Sequence, residues 1–164
     1  MNRDERFESE ALPQWRSLFR TACRLMRNTH DAEDLVQETM LRAYRAFDRY
    51  QPGTNIRAWL YTILHRVRLD GTRRARRAPG FTEIEEDTAA VRPAQELVAA
   101  GGLDLSRALQ DLDEPFRTAV VLRDLEELSY EDIARITEAP IGTVMSRIHR
   151  GRKALRERLK GASS

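Results

Sequence analysis

The 164-residue chain has a single cysteine, Cys23. An internal disulfide is therefore excluded, and a reducing compartment is expected. Cys23 sits in an apolar helical stretch, which marks it as a buried spectator thiol rather than a redox sensor. Histidine is almost as scarce. His30, His65 and His149 lie far apart and no cysteine cluster accompanies them, so neither a metal site nor a cofactor is expected. No apolar run approaches the roughly 20 residues of a membrane span. The opening MNRDERFESE is too polar for a secretory leader. A soluble, cytoplasmic protein is the expectation. Lysine is rare too, since 26 of the 28 basic residues are arginine. Arginine forks onto phosphates and guanine edges better than lysine does. Genome base composition produces the same bias, so this ratio alone decides nothing. Strand-like alternation and internal repeats are also missing.

What is present is helical spacing and a segregated charge. The net charge is only +2, but residues 1–77 hold 16 arginines against ten acids, and residues 139–164 hold seven bases against one acid. Residues 78–138 between them hold five arginines against 15 acids. Two basic regions separated by acidic ones suit a polyanion gripped at two places. The spacing predicts helices near 8–27, 31–47, 55–76, 105–111, 115–126, 129–137 and 141–159, with Asp31 and Asn55 as caps. Tyr50-Gln-Pro-Gly-Thr54 breaks the chain between two of them. APGFTEIEEDTAAVRPAQELVAAGG, residues 78–102, has the prolines, glycines, alanines and acids of a linker. The expected architecture is all-α: a helical domain over 1–77, an acidic linker over 78–104 and a second helical domain over 105–164.

The second domain holds the sharpest motif. Ser129-Tyr-Glu-Asp132 resembles a capping box, with Asp in place of the usual Glu or Gln. It opens a short helix, which a turn at Thr137 to Pro140 joins to the basic stretch IGTVMSRIHRGRKALRERL. Two helices so joined form a helix-turn-helix, whose second helix enters the DNA major groove. Ile141, Val144, Ile148 and Leu155 fall on one side, ready to pack on Ile133 and Ile136. Thr143, Ser146, His149, Arg150 and Lys153 fall on the other, as donors for base edges and phosphates.

The first domain offers two helices of interest. In DAEDLVQETMLRAYRAF, residues 31–47, Val36, Met40, Ala43 and Phe47 share a core face. Asp34, Gln37, Glu38 and Leu41 share another. An acidic face with an exposed leucine suits docking on a basic protein surface, and periodicity alone fits a solvated helix equally well. In NIRAWLYTILHRVRLDGTRRARR, residues 55–77, Trp59, Leu60, Ile63 and Val67 form a core stripe. Arg57, Tyr61, His65, Arg66 and the run Arg73, Arg74, Arg76 and Arg77 mix aromatic and basic groups. That mixture suits single-stranded DNA, whose bases stack on aromatic faces while arginines track the backbone.

These three stretches, DAEDLVQETMLRAYRAF, NIRAWLYTILHRVRLDGTRR and LSYEDIARITEAPIGTVMSRIHRGRKAL, closely resemble the bacterial extracytoplasmic-function sigma factors, dissociable specificity subunits of RNA polymerase. The resemblance implies a promoter-directing transcription factor without covalent chemistry of its own. Its partners would be core RNA polymerase, promoter DNA and an anti-sigma factor. It assigns core polymerase docking to Asp34, Leu35, Gln37, Glu38 and Leu41. It assigns the −10 element to Tyr50, Asn55, Arg57, Tyr61, His65, Arg66, Arg73 and Arg74. The −35 element falls to Tyr130, Glu131, Thr143, Ser146, Arg147, His149, Arg150 and Lys153.

Three positions depart from the family pattern. Arg66 stands where asparagine is common, Glu138 where glycine is usual in the turn, and Met145 where a basic residue is common. If the turn needs a positive φ at 138, glutamate there is strained by roughly 1 kcal/mol. Two rivals compete with this reading. A stand-alone helix-turn-helix repressor would need a dimerisation helix, and none is evident. A metal-dependent nuclease would have to use Glu33, Asp34 and Glu38, yet no further acid or histidine clearly converges on them.

Overall fold

A computed structural model describes residues 1–77 and 102–162. All regular structure among them is helical. The predicted linker lies outside the described residues except for its last three, which already belong to a helix.

Asn2 starts α1 (Arg3–Glu10) with a reciprocal capping box: its side chain accepts from Glu5 N, and Glu5 Oε2 accepts from Asn2 N, both at 2.9 Å. The sequence suggests one helix over 8–27, but Pro13 divides it. Proline lacks the N–H that a helix interior needs and its ring clashes with the preceding turn. The chain therefore leaves α1, makes a 3₁₀ turn over Leu12–Gln14, and begins α2 (Trp15–Leu25). The next helix, α3 (Thr29–Ala46), is capped by Asn28, which accepts from Asp31 N at 2.8 Å. The expected cap, Asp31, is instead two residues inside the helix, where its carboxylate accepts from the Asn28 amide at 2.9 Å. After a 3₁₀ turn at Phe47–Arg49, Gly53 takes φ 86°, a left-handed turn conformation open to glycine. Asn55 Oδ1 then accepts from Ala58 N and opens α4 (Ile56–Arg77).

The second module begins with α5 (Gly102–Asp111) and α6 (Glu114–Val120), the latter with Pro115 in its first turn. It continues as one π-helical stretch, Val121–Leu125, in which Glu126 N reaches back to Val121 O. Ser129 caps α7 (Tyr130–Thr137) by accepting from Asp132 N at 3.1 Å. Asp132 turns its own carboxylate to Arg135, at 3.0 Å. Glu138 ends α7 in the left-handed conformation, φ 52° and ψ 44°, which is the strained geometry anticipated for that turn. Pro140 then leads into α8 (Ile141–Ala162).

Each module buries its own apolar stripe. In the first, Leu18, Ala22, Val36, Ala43, Leu60 and Leu64 are almost fully buried. Beside them Phe7, Tyr44, Phe47, Tyr50 and Trp59 form an aromatic cluster, with Phe7 edge-on to both Tyr44 and Phe47 at 5.3 Å. In the second, Leu109, Val121, Ile133, Ile136, Val144 and Ile148 fill the space between α5, α6, α7 and α8. Ile141, expected in that core, is 42% exposed. At 100° per residue it lies within the stripe, about 20° from Ile148, but as the first residue of α8 it stands at the very end of that stripe. A close approach fixes α6 on α8. A Cβ at Gly151 would stand 2.5 Å from Val120 Cγ2 and 3.1 Å from Phe116 O, so only glycine lets the two backbones meet. Cys23 is buried, and burial pushes its thiol up to about 11 with Glu33 assisting. The thiolate is thus suppressed at neutral pH, which agrees with a spectator role.

The two modules pack together. Helix α5 rests on α2, and α7 rests on α4. The Gln110 amide donates to the carbonyls of Arg24 and Met26, at 3.2 and 3.1 Å. Arg68 donates to Glu114 and to Thr118, the latter at 2.8 Å.

Candidate nucleic-acid interface

The basic helix α8 turns most of its expected polar face to solvent. Ser146, His149, Arg150 and Lys153 are exposed, while Thr143 and Arg147 are half-buried at one edge. Thr143, Ser146, Arg147 and Arg150 also line a cleft of ≈ 410 Å³ against Pro115 and Phe116. Met145, 51% exposed, adds an apolar group to a polar and basic surface. At the head of α7, Glu131 is exposed. Tyr130 is half-buried beneath the Arg123 guanidinium, 4.6 Å from its ring centroid. An exposed basic helix braced by a capped shorter helix has the form of a major-groove reader.

Helix α3 presents Asp34, Gln37 and Leu41 to solvent, with Leu41 43% exposed. Glu38 is half-buried and accepts from Arg42 at 3.0 Å. Leu35, assigned to the same face, is only 5% exposed and packs in the core. Its neighbours at i−3, i+1 and i+4, Ala32, Val36 and Thr39, are fully buried, so it belongs to the inward stripe rather than the outward one. Among the described residues, no group of three or more His, Cys, Asp or Glu comes together as metal ligands would. None of the described helices is long and apolar enough to cross a membrane.

The residues assigned to the −10 element divide sharply. Arg66, Arg73 and Arg74 are exposed on α4. Tyr50 is buried against Phe47 and Trp59, and its hydroxyl donates to Thr54 O at 2.8 Å. It shapes the turn from within. Tyr61 is 1% exposed, which withdraws it from any stacking surface in this arrangement. Its hydroxyl lies 2.8 Å from Ser17 Oγ and 2.9 Å from Thr21 Oγ1, and burial raises its pKa, aided by nearby Glu126. Asn55 reaches Asp132 at 3.5 Å and Arg66 reaches Glu138 at 3.5 Å, so α4 meets the second module along its length. His65 is half-buried there. Burial lowers its pKa, and the Arg68 charge adds to the effect.

At the centre of that contact is a residue the sequence does not single out. Glu126 follows the π-helical stretch and is 2% exposed. Its carboxylate accepts from Thr21 at 2.7 Å, Arg24 at 3.2 Å, Ser17 at 3.3 Å and Arg57 at 3.3 Å, with Arg20 at 3.7 Å. Arg57 also donates to the Glu126 carbonyl at 3.1 Å. A buried carboxylate is tolerable only when so fully partnered. Burial lowers the Arg24 pKa, and the Glu126 charge opposes that shift.

Two helical modules, the second a helix-turn-helix with an exposed basic reader, define a DNA-binding regulatory protein. Residues 15–78 match the Sigma-70 region 2 family and residues 102–155 match Sigma-70, region 4. The chain is 42% identical to the ECF RNA polymerase sigma factor SigE of Mycolicibacterium smegmatis, over 96% of this chain and 66% of SigE. It is 32% identical to the ECF RNA polymerase sigma factor SigW of Bacillus subtilis, over 87% of this chain and 83% of SigW. The sigma factor RpoE of Bartonella quintana, solved with the anti-sigma factor NepR, aligns with a TM-score of 0.75 at 30% identity, over 95% of this chain and 98% of RpoE. The chain belongs to the ECF RNA polymerase sigma factors. A stand-alone repressor leaves the whole first module without a purpose, and the region 2 match removes that reading.

Proposed function

We propose that this chain binds core RNA polymerase and directs it to a particular class of promoters, under the control of an anti-sigma factor. Residues 1–77 dock on polymerase through Asp34, Gln37, Glu38 and Leu41. The same module engages the opened −10 strand through the basic length of α4. Residues 105–164 read the −35 element in duplex form through Ser146, His149, Arg150 and Lys153, with Thr143 and Arg147 at the edge of the reader. The segment between the modules makes binding of the second an effectively intramolecular event once the first is engaged. Bond formation in RNA synthesis belongs to the polymerase, so this chain contributes affinity and specificity only.

The observation that carries this reading is the coexistence of two unlike exposed faces in one chain. An acidic helix face bearing Leu41 suits a protein partner, and a basic recognition helix suits a duplex. Control by an anti-sigma factor is supported by RpoE of Bartonella quintana, whose structure was solved with such a partner. Run-off transcription with purified core polymerase on genomic templates tests the proposal. New start sites sharing a −35 and −10 pair are expected on adding the chain. Unchanged initiation at every template, with no inhibitor present, overturns it.

A further inference from the structure

The Glu126 contact has the make-up of an anion site on the first module. Ser17, Thr21 and Arg24 on α2 and Arg57 on α4 converge on one carboxylate, with Arg20 at the rim. Tyr61, hydrogen-bonded to both hydroxyls, holds them in place from behind. Three guanidinium groups face a single carboxylate, so the socket has more positive charge than its occupant neutralises. It also has donors to spare, since Arg24 Nε is buried with no hydrogen-bond partner. The occupant comes from the other module, 69 residues or more away in sequence from every donor. One member of the socket, Arg57, lies on the helix proposed above to follow the opened −10 strand.

We propose that this socket is a phosphate-binding site for single-stranded promoter DNA, and that Glu126 occupies it in place of a backbone phosphate when the modules are closed. The inference rests on the proposed function, and specifies how α4 and α2 hold the strand together. Hydroxyl and guanidinium donors arranged around one anion are the groups that bind phosphodiesters. A phosphate offers the same forked pair of oxygens as a carboxylate and further oxygens for a spare donor. Only one of the two anions fits at a time. Glu126 and DNA therefore compete, and closure of the modules hides the socket.

Fluorescence anisotropy of the full chain with labelled oligo-dT of 12 nucleotides tests this, because phosphate contacts need no particular sequence. Glu126→Gln is expected to tighten binding by about tenfold at low salt and to steepen its salt dependence. Glu127→Gln removes the same charge from the exposed neighbour and is expected to leave binding unchanged. Adding Arg24→Gln or Thr21→Val to Glu126→Gln is expected to cancel the gain. Methylphosphonate oligo-dT, which lacks the charge, is expected to show no gain at all. Circular dichroism melting checks that each variant folds. Should Glu126→Gln melt early, Glu126→Asp keeps the charge, shortens the reach by one methylene and is expected to fall between the two. Equal binding by wild type, Glu126→Asp and Glu126→Gln overturns the proposal. So does a gain that survives Arg24→Gln together with Thr21→Val, because the strand would then be held elsewhere. Transcription with core polymerase is read separately. Normal promoter use with unchanged oligo-dT binding rejects the socket alone, whereas no promoter use rejects the reading beneath it.

Discussion

Replacing Glu138 by glycine should make this protein more stable, although it removes a side chain and an ion pair. Glu138 closes α7 at φ 52° and ψ 44°. A residue with a Cβ pays about 1–2 kcal/mol there. Glycine escapes that cost but loses more backbone freedom on folding, about 0.5–1 kcal/mol. The Arg66–Glu138 pair that disappears has both side chains exposed, at 62% and 74%, so its loss weighs little. The net expectation is a gain of about 0.5–1 kcal/mol. Glu127, at φ 57°, also has a positive φ, before the other end of α7. The two turns are separated by a helix of about 12 Å, long enough for their effects to add. The double glycine variant should therefore gain about 1–2 kcal/mol. For a chain of this size, roughly 2–4 °C of melting temperature accompanies each kcal/mol. Circular dichroism melting gives the answer, with Glu138→Ala as the control. Alanine keeps the Cβ and loses the carboxylate, so it should show no gain. A glycine variant no more stable than the alanine one refutes the strain argument.

Other expectations follow from the same geometry. Gly151→Ala should destabilise the second module by about 1 kcal/mol. Overpacking against buried Val120 costs about 1–3 kcal/mol, more than the roughly 1 kcal/mol that alanine adds to helix propensity; a raised melting temperature would show that α6 gives way freely. Met145, exposed beside His149, should sense a thymine methyl. Substituting uracil for thymine in the −35 duplex should weaken polymerase-bound wild type by about fourfold, about 0.8 kcal/mol per methyl. Met145→Ala should bind the two duplexes equally, and an unchanged ratio would remove Met145 from the reader. His65 sets a pH dependence. Its pKa lies below the ordinary 6.5 because of burial and then Arg68 and Arg147, against Glu114 and Glu138. A lowered folded value means that the unfolded chain binds more protons, so this contribution is complete above about pH 6.5 and declines as pH falls through the folded value. His65→Gln should flatten melting temperature across that acidic window, and a profile identical to wild type would exonerate the imidazole.

Local signals in this sequence are legible and long-range ones are not. Ser129 and Asn55 announce their helices because a cap is a contact between residues three apart. The strain at Glu138 was legible for a similar reason, since the turn geometry is set by its immediate neighbours. Pro13 marks the limit of a periodicity argument: apolar spacing runs through it, yet its missing N–H divides the helix. Leu35 and Tyr61 show a different limit. Both occupy positions where a family likeness suggests contact, but burial is decided by what packs against them from other elements. Ser17, Thr21 and Arg24 look like unremarkable helix residues, and Glu126 is one acid among many. Nothing in a window of a few residues can join partners 102 or more positions apart.

The arrangement also constrains how the modules could be separated. The Asp34–Leu41 face of α3 is exposed, while the Asn55–Arg57 end of α4 is covered by α7 and Glu126. A partner that touches only the exposed face binds closed and open forms equally well, and equal affinity shifts no equilibrium however tight it is. Opening therefore has to be driven by contacts that exist only in the open form. Two sets qualify: those that pull the recognition helix to a −35 site distant from α4, and those that replace Glu126 in its socket. Inverting a closed-to-open ratio of 99:1 takes about 5.5 kcal/mol of such preference. A few charge-assisted hydrogen bonds to one phosphate, each worth about 1.5–3 kcal/mol in net terms, reach that size only after the carboxylate has left. On the proposed function, docking on polymerase and release of α4 are thus separable steps, and DNA in the proposed socket would supply part of the free energy that keeps the modules apart.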